Sequence, residues 1–292
     1  MLELTFDKHF DYLGEYDIPM SVYRKADGLA NSELQMFITN PSSYIWNKTA
    51  PRDMAKATTA DVGTCLHTKL LEPHLYDDEV IVSDIKGRSS SSFRIMQTKN
   101  PTKIIITEAE ANQIDIMARS AMSDPMFRSL IDMAGACESS IFVDDPMTGL
   151  RLKIRPDKVG IVKGQHPLLI DVKTSASLDE WRSDKPWLNP LFKFGYGFTA
   201  AYYIYVASIL YGVELDRYVF LVAQKQSMLG RYPASTFVVT KDELVDLGFW
   251  DEMISALNDF ATHKENNDWT TYEKFPEFPV FNSESIDIKF ED

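Results

Sequence analysis

The chain has 292 residues, 45% of them apolar and 25% charged, which is the composition of an ordinary globular protein and excludes extensive disorder. Its formal net charge of −13 argues, taken alone, against a nucleic-acid ligand, because polyanions bind basic surfaces. The two cysteines cannot build a disulfide framework and the acidic N-terminus has no apolar run, so we expect a cytoplasmic protein without a signal peptide.

The first half of the sequence has the periodicity of helices. Leu34, Phe37 and Ile38 share one face of a predicted helix that begins near Asn31 and ends before Pro41. Three further helices are predicted in this half, over residues 44–48, 60–72 and 108–122.

Charges are distributed unevenly along the chain. Residues 242–292 hold 14 acidic residues and three lysines, whereas residues 86–103 hold five basic residues and no acid. A second basic cluster spans residues 151–163. The serine-rich stretch 87–102 predicts a mobile loop. Either cluster alone would be an ordinary solvated face, but the two together favour a polyanionic ligand.

The second half changes to the periodicity of strands. Residues 198–211 predict a helix that is apolar on every side, too short and too rich in tyrosine to span a membrane. Strands are predicted over residues 140–143, 150–155, 157–162, 168–174 and 217–223. The resulting α-β-β-β-α-β order predicts an α/β fold with a mixed central β-sheet flanked by helices.

Two carboxylates in these strands are candidates for catalysis. Asp171 and Lys173 lie two residues apart, so their side chains share one face of a strand. Asp157 follows Pro156 one strand earlier, where strand pairing would bring it close to Asp171. Two such acids repel each other unless a cation lies between them, and their hard oxygen ligands suit Mg²⁺ or Mn²⁺. With a lysine beside them to stabilise charge on a phosphoryl oxygen, the set indicates metal-assisted phosphodiester hydrolysis.

A simpler interpretation stays open for each residue taken singly. Asp171 and Lys173 would form a partly buried salt bridge, which is a common role for a D-x-K pattern. His67 would be a satisfied helix histidine, and Tyr203 would pack in the core.

Three segments in order resemble a known family. They are Gly63–Pro73 (GTCLHTKLLEP), Arg155–Lys158 (RPDK) and Ile170–Thr174 (IDVKT). The sequence thereby resembles the RecE-type exonucleases (exodeoxyribonuclease VIII) of phages and prophages, which belong to the PD-(D/E)XK nuclease superfamily. The resemblance implies a single nuclease domain over residues 1–292, with an N-terminal helical segment (1–55), a catalytic core (56–225) and an acidic C-terminal segment (226–292).

The resemblance also implies roles for individual residues. Asp157 and Asp171 match the two principal metal ligands, and Lys173 matches the catalytic lysine. Further metal ligands would be His67, the backbone carbonyl of Val172, and Glu138.

DNA contacts are expected from the basic clusters and from one tyrosine. Tyr203 is in register with a Q-x-x-x-Y motif of RecB-like nucleases, although Thr199 stands where the glutamine is expected. The full set of expected DNA-binding residues is Lys86, Arg88, Arg94, Lys158 and Tyr203.

The activity implied by the resemblance is a double-stranded DNA exonuclease that uses Mg²⁺ or Mn²⁺. It would act 5′-to-3′ from DNA ends, supply a single-strand annealing protein of the RecT type during recombination, and form a ring-like homo-oligomer. Two alternatives stay open. One is a non-catalytic DNA-binding or assembly protein on the same fold, and the other is a RecB- or Cas4-like nuclease with an iron–sulfur cluster, against which the cysteine count argues.

Overall fold

The computed structural model describes residues 12–51 and 62–270. Outside this range lie the start of the predicted 60–72 helix and the end of the acidic C-terminal segment. The elements up to residue 131 are β1 (Gly14–Tyr16), α1 (Met20–Lys25), β2 (Leu29–Ala30), α2 (Asn31–Thr39), α3 (Pro41–Thr49), α4 (Val62–Leu71), α5 (Pro73–Glu79), β3 (Val80–Ser83), α6 (Ser91–Lys99), β4 (Ile104–Thr107), α7 (Glu108–Ser123) and α8 (Pro125–Ile131). Those that follow are β5 (Gly135–Cys137), β6 (Ser140–Asp144), β7 (Arg151–Ile154), β8 (Lys158–Gly160), β9 (Leu168–Ser175), α9 (Pro190–Lys193), α10 (Tyr196–Tyr211), β10 (Arg217–Gln224), β11 (Ala234–Thr240), α11 (Lys241–Asp246) and α12 (Phe249–Asn266).

A mixed five-stranded sheet, in the order β11-β10-β9-β8-β5, carries the candidate catalytic strand β9 near its centre. Strands β9 and β10 run parallel, with Asp171 opposite Phe220, while β8 pairs antiparallel with β9. A four-stranded sheet has the order β1-β6-β7-β2, and β3 and β4 form a parallel pair. The predicted α/β class with a mixed sheet flanked by helices is confirmed.

Pro156 separates two strands that the sequence predicted to run on in one direction. Strand β7 belongs to the four-stranded sheet, whereas β8 belongs to the five-stranded sheet. Proline has no N–H to donate to a strand ladder, so the pairing is interrupted at this residue. Asp157 follows directly, and the junction between the two sheets therefore presents this carboxylate.

Helix α10 packs between the two larger sheets. Its side chains Ala200, Ala201, Tyr202 and Ile204 are all inaccessible to solvent, as expected for a helix that is apolar on every side. The opposite face of the five-stranded sheet is covered by α4 and α7, whose apolar residues join those of β9 and β10 in a second core. Within the described ranges, no helix combines the length and apolar character needed to cross a bilayer.

The prediction of a mobile loop over residues 87–102 is wrong, because most of this stretch is α6. The serines that suggested a loop instead begin the helix: the Ser90 hydroxyl accepts a hydrogen bond from the Phe93 N–H at 3.2 Å. The Phe93 side chain is completely buried and ties the helix to the rest of the protein.

Candidate active site

The backbone around the sheet junction holds Asp157 in place. Its Oδ2 accepts a hydrogen bond from the Val172 N–H at 2.7 Å, and its carbonyl accepts one from the Glu138 N–H at 3.0 Å. Burial disfavours the charged carboxylate, but the charges of His67 and Lys173 and the Val172 N–H outweigh burial and lower the pKa of Asp157. Asp157 is therefore an ionised group fixed against the candidate catalytic strand β9.

His67 of α4 lies between two carboxylates. Its Nε2 is 3.1 Å from Asp157 Oδ2 and 3.2 Å from Glu138 Oε1. Burial opposes protonation of the imidazole, but Asp157, Glu138 and Asp171 together raise the pKa of His67 to about 9. A protonated imidazole thus supplies the positive charge between these acids.

The same three residues could hold a metal ion. One ligand atom each from His67, Glu138 and Asp157 lies within 4.8 Å of the others. Carboxylate oxygens and a neutral imidazole nitrogen are ligands of divalent cations, and the two carboxylates attract a cation once His67 has lost its proton. The donor set therefore fits the divalent metal that the sequence predicted.

Glu138 is held in an unusual backbone conformation. Its φ of 52° lies in the left-handed region, which costs a non-glycine residue roughly 1–3 kcal/mol. Arg155 opposes this cost, because its Nε donates to Glu138 Oε2 at 2.7 Å while its Nη1 donates to Ser140 Oγ at 2.5 Å. Burial and the neighbouring Asp157 raise the pKa of Glu138, against the influence of His67 and Arg155.

Asp171 and Lys173 form an ion pair beside this cluster. Lys173 Nζ lies 2.5 Å from Asp171 Oδ2, and only 7% of the Asp171 side chain is exposed. Burial and the charge of Asp157 raise the pKa of Asp171 to about 7, against the effect of Lys173. For Lys173, burial is outweighed by the two aspartates, which raise its pKa, so its ammonium stays charged. The pair agrees with the simple salt-bridge interpretation. It differs from an isolated salt bridge because the acids of the His67 cluster lie beside it, and Asp157 among them raises the pKa of Asp171.

Two residues assigned to the site by resemblance have structural partners. Val172 is buried in β9 and contributes the N–H that binds Asp157. The Tyr203 hydroxyl donates to the Arg155 carbonyl at 3.4 Å, and burial raises the pKa of this tyrosine well above its usual value. Thr199, at the position of the missing glutamine, accepts a hydrogen bond from Asn31 Nδ2 at 2.9 Å and so joins α10 to α2.

The expected DNA-binding residues differ in accessibility. Lys158 is only 5% exposed and its ammonium donates to the Ile131 carbonyl at 2.5 Å, so its side chain is turned into the protein and does not fit a phosphate contact. Arg88 forms an ion pair with Glu110, with 2.7 Å between Nε and Oε1. Lys86 and Arg94 are exposed on and beside α6.

Sequence reasoning missed Arg155 and Tyr196. Arg155 directly precedes Pro156 in the RPDK segment, but only its pairing with Glu138 shows that it shapes the site. Tyr196 begins α10, and its ring centroid is 5.2 Å from Lys173 Nζ. The position of Arg155 two residues before Asp157 was a usable signal, whereas no pattern in the sequence connects Tyr196 to the aspartates.

One solved structure and one family model match this chain over most of its length. A crystal structure of a proposed exonuclease from Eubacterium rectale aligns with a TM-score of 0.52 and 14% identity, over 87% of this chain and 88% of that one. A second solved structure, SSO0001, is 16% identical over 65% of this chain and 84% of its own, but its TM-score of 0.26 is too low to indicate a shared fold. No curated protein matches the sequence. The sequence profile described as a "PDDEXK-like domain of unknown function (DUF3799)" matches residues 30–246, and the chain therefore belongs to this PDDEXK-like family.

Proposed function

We propose that this protein is a metal-dependent exodeoxyribonuclease that hydrolyses one strand of duplex DNA from an end. The observation that carries the proposal is the meeting of His67, Glu138 and Asp157 with the Asp171–Lys173 pair at one place on the five-stranded sheet. A fold of the PD-(D/E)XK type and membership of a PDDEXK-like family support a nuclease.

A divalent cation, Mg²⁺ or Mn²⁺, would be held by His67, Glu138 and Asp157, with Asp171 beside them. When bound, such a cation polarises a phosphodiester oxygen and lowers the pKa of a water molecule. Asp157 is already fixed for ligation by the Val172 N–H, and Arg155 fixes Glu138. These contacts mean that little reorganisation is needed when the cation binds.

Lys173 would act on the substrate rather than on the cation. Its ammonium is charged, and 25% of its side chain is exposed, so it can approach a phosphoryl oxygen. A fixed positive charge at that point stabilises the negative charge that develops as the phosphodiester is attacked. Asp171 holds the ammonium in position by their ion pair.

The proposal includes three features that rest on the RecE-type resemblance. These are 5′-to-3′ polarity, transfer of the product strand to an annealing protein of the RecT type, and a ring-like homo-oligomer around the duplex. The exposed basic residues Lys86 and Arg94 would contact phosphates of the duplex.

A degradation assay with two DNA forms tests the proposal. We expect nucleotides to be released from an end-labelled linear duplex in Mg²⁺, and none from a covalently closed circle. Label at the 5′ end should appear as mononucleotides before label at the 3′ end. Asp171→Asn should abolish release, whereas Asp179→Asn should retain it. The Asp179 side chain is 90% exposed and belongs to no metal cluster in the described ranges. Release that survives in Asp171→Asn, or no release by the parent protein in either metal, would contradict the proposal.

A further inference from the structure

Exposed aromatic side chains are concentrated in one segment of the chain. Of the four exposed phenylalanine and tryptophan side chains in the described ranges, three fall within residues 187–194. These three are Trp187, Phe192 and Phe194, with 69%, 38% and 51% of each residue exposed. Of these, only Phe194 contacts a residue that lies beside the candidate active site.

Phe194 lies close to the candidate active site. The Phe194 and Tyr196 ring centroids are 5.7 Å apart, and the Tyr196 centroid is 5.2 Å from Lys173 Nζ. Phe194 is therefore separated from the catalytic ammonium by a single aromatic ring. A polynucleotide whose phosphate lies at Lys173 would bring a neighbouring base to Phe194.

The backbone holds Phe194 in a fixed position. Gly195 has a φ of 67°, a conformation that glycine adopts without strain, and it joins α9 to α10. A Cβ at this glycine would lie 2.6 Å from Gln35 Oε1, so the turn is packed against α2. The Phe194 N–H donates to the Pro190 carbonyl at 3.2 Å. Because the backbone is fixed in this way, Phe194 loses little backbone freedom when a partner binds.

The cation beside Phe194 indicates what kind of ligand would bind there. Lys193 Nζ lies 4.9 Å from the Phe194 ring centroid and 3.4 Å from Glu180 Oε1. An exposed aromatic ring with an ammonium group beside it matches a nucleobase with its phosphate, because the base stacks on the ring while the phosphate meets the positive charge.

We propose that Phe194 stacks against a base next to the scissile phosphate and thereby positions the DNA strand end at Lys173. This inference rests on the function proposed above, and it assigns Phe194 a positioning role. Base–aromatic stacking of this kind is lost on substitution by alanine, with an expected weakening of DNA binding of roughly 5- to 150-fold.

Fluorescence of 2-aminopurine tests the stacking directly. The probe is a duplex that carries 2-aminopurine near one end, and Ca²⁺ replaces Mg²⁺ so that binding is measured without turnover. We expect the parent protein to quench the fluorescence, and Phe194→Ala to lose the quenching and weaken binding. Phe194→Trp should restore both effects, whereas Phe194→Leu should not, because leucine keeps the apolar volume without a ring.

Phe192→Ala is the matched control. It removes the same type of side chain two residues away, but the Phe192 ring packs on Phe249 at 4.8 Å instead of on Tyr196. Equal quenching by Phe194→Ala and Phe192→Ala, or no quenching by the parent, would overturn the inference. A smaller particle for Phe194→Ala in light scattering would also overturn it, because Phe194 would then lie in a subunit interface. Nucleotide release by the parent in Mg²⁺ is scored separately, so a failure of the proposed nuclease activity can be distinguished from a failure of stacking.

Discussion

Metal binding to the candidate site should release a proton from His67. The carboxylates around this imidazole raise its pKa to about 9, so the metal-free protein carries a proton on His67 at neutral pH. A metal ligand must be the neutral imidazole. At pH 7 the deprotonation costs about 2.7 kcal/mol, since each pKa unit is worth 1.36 kcal/mol.

The pH dependence of metal affinity follows from this raised pKa of His67. Below pH 9 the proton and the cation compete, so the affinity should rise about tenfold per pH unit and level off above pH 9. Below pH 7 the curve should be steeper, because Asp171, whose pKa burial and Asp157 raise to about 7, must also ionise. A histidine of ordinary pKa would instead give a curve that is flat above about pH 6.5.

Calorimetry at pH 7.5 measures the proton directly. Titration of Mg²⁺ or Mn²⁺ in two buffers with different ionisation enthalpies should show about one proton released per bound ion. His67→Gln should remove most of this release, leaving only the part that comes from Asp171, and should flatten the affinity curve between pH 7 and 9. If the parent protein binds metal at pH 7.5 with the same heat in both buffers, the reasoning about His67 is refuted.

Three further outcomes are expected from single positions. Lys173→Ala should lower the rate of hydrolysis about 10²–10³-fold while the metal titration in calorimetry stays measurable, and a rate merely halved would make the lysine a structural partner only. Gly195→Ala should lower the free energy of unfolding in urea by more than Gly212→Ala. Both glycines have a positive φ, a conformation that costs a residue with a side chain about 1–2 kcal/mol, but only a Cβ at Gly195 would have a neighbour within 4 Å. Neutralising Lys86 and Arg94 together should reduce the slope of log affinity for duplex DNA against log salt by about two. An unchanged slope would show that neither residue contacts a DNA phosphate.

The geometry of the two aspartates could be predicted from the sequence because it depends on short-range rules. Alternation along a strand places Asp171 and Lys173 on one face, and antiparallel pairing of adjacent strands brings Asp157 to β9. The positions of Lys158 and Phe93 could not be predicted in this way. Lys158 is buried because its strand lies against the end of α8, and α6 forms because Phe93 finds a buried site, so both depend on contacts between distant parts of the chain.

The hydrogen bond between the Val172 N–H and Asp157 Oδ2 makes one backbone amide a reporter of the site. The same oxygen faces His67 Nε2, so any cation that draws electron density from Asp157 must weaken its bond to this amide. In a ¹⁵N-resolved NMR spectrum the Val172 resonance should therefore move upfield in its proton dimension as metal is added, while amides elsewhere in β9 stay in place. Occupancy of the candidate active site can then be followed in solution through a single main-chain signal, without DNA and without turnover.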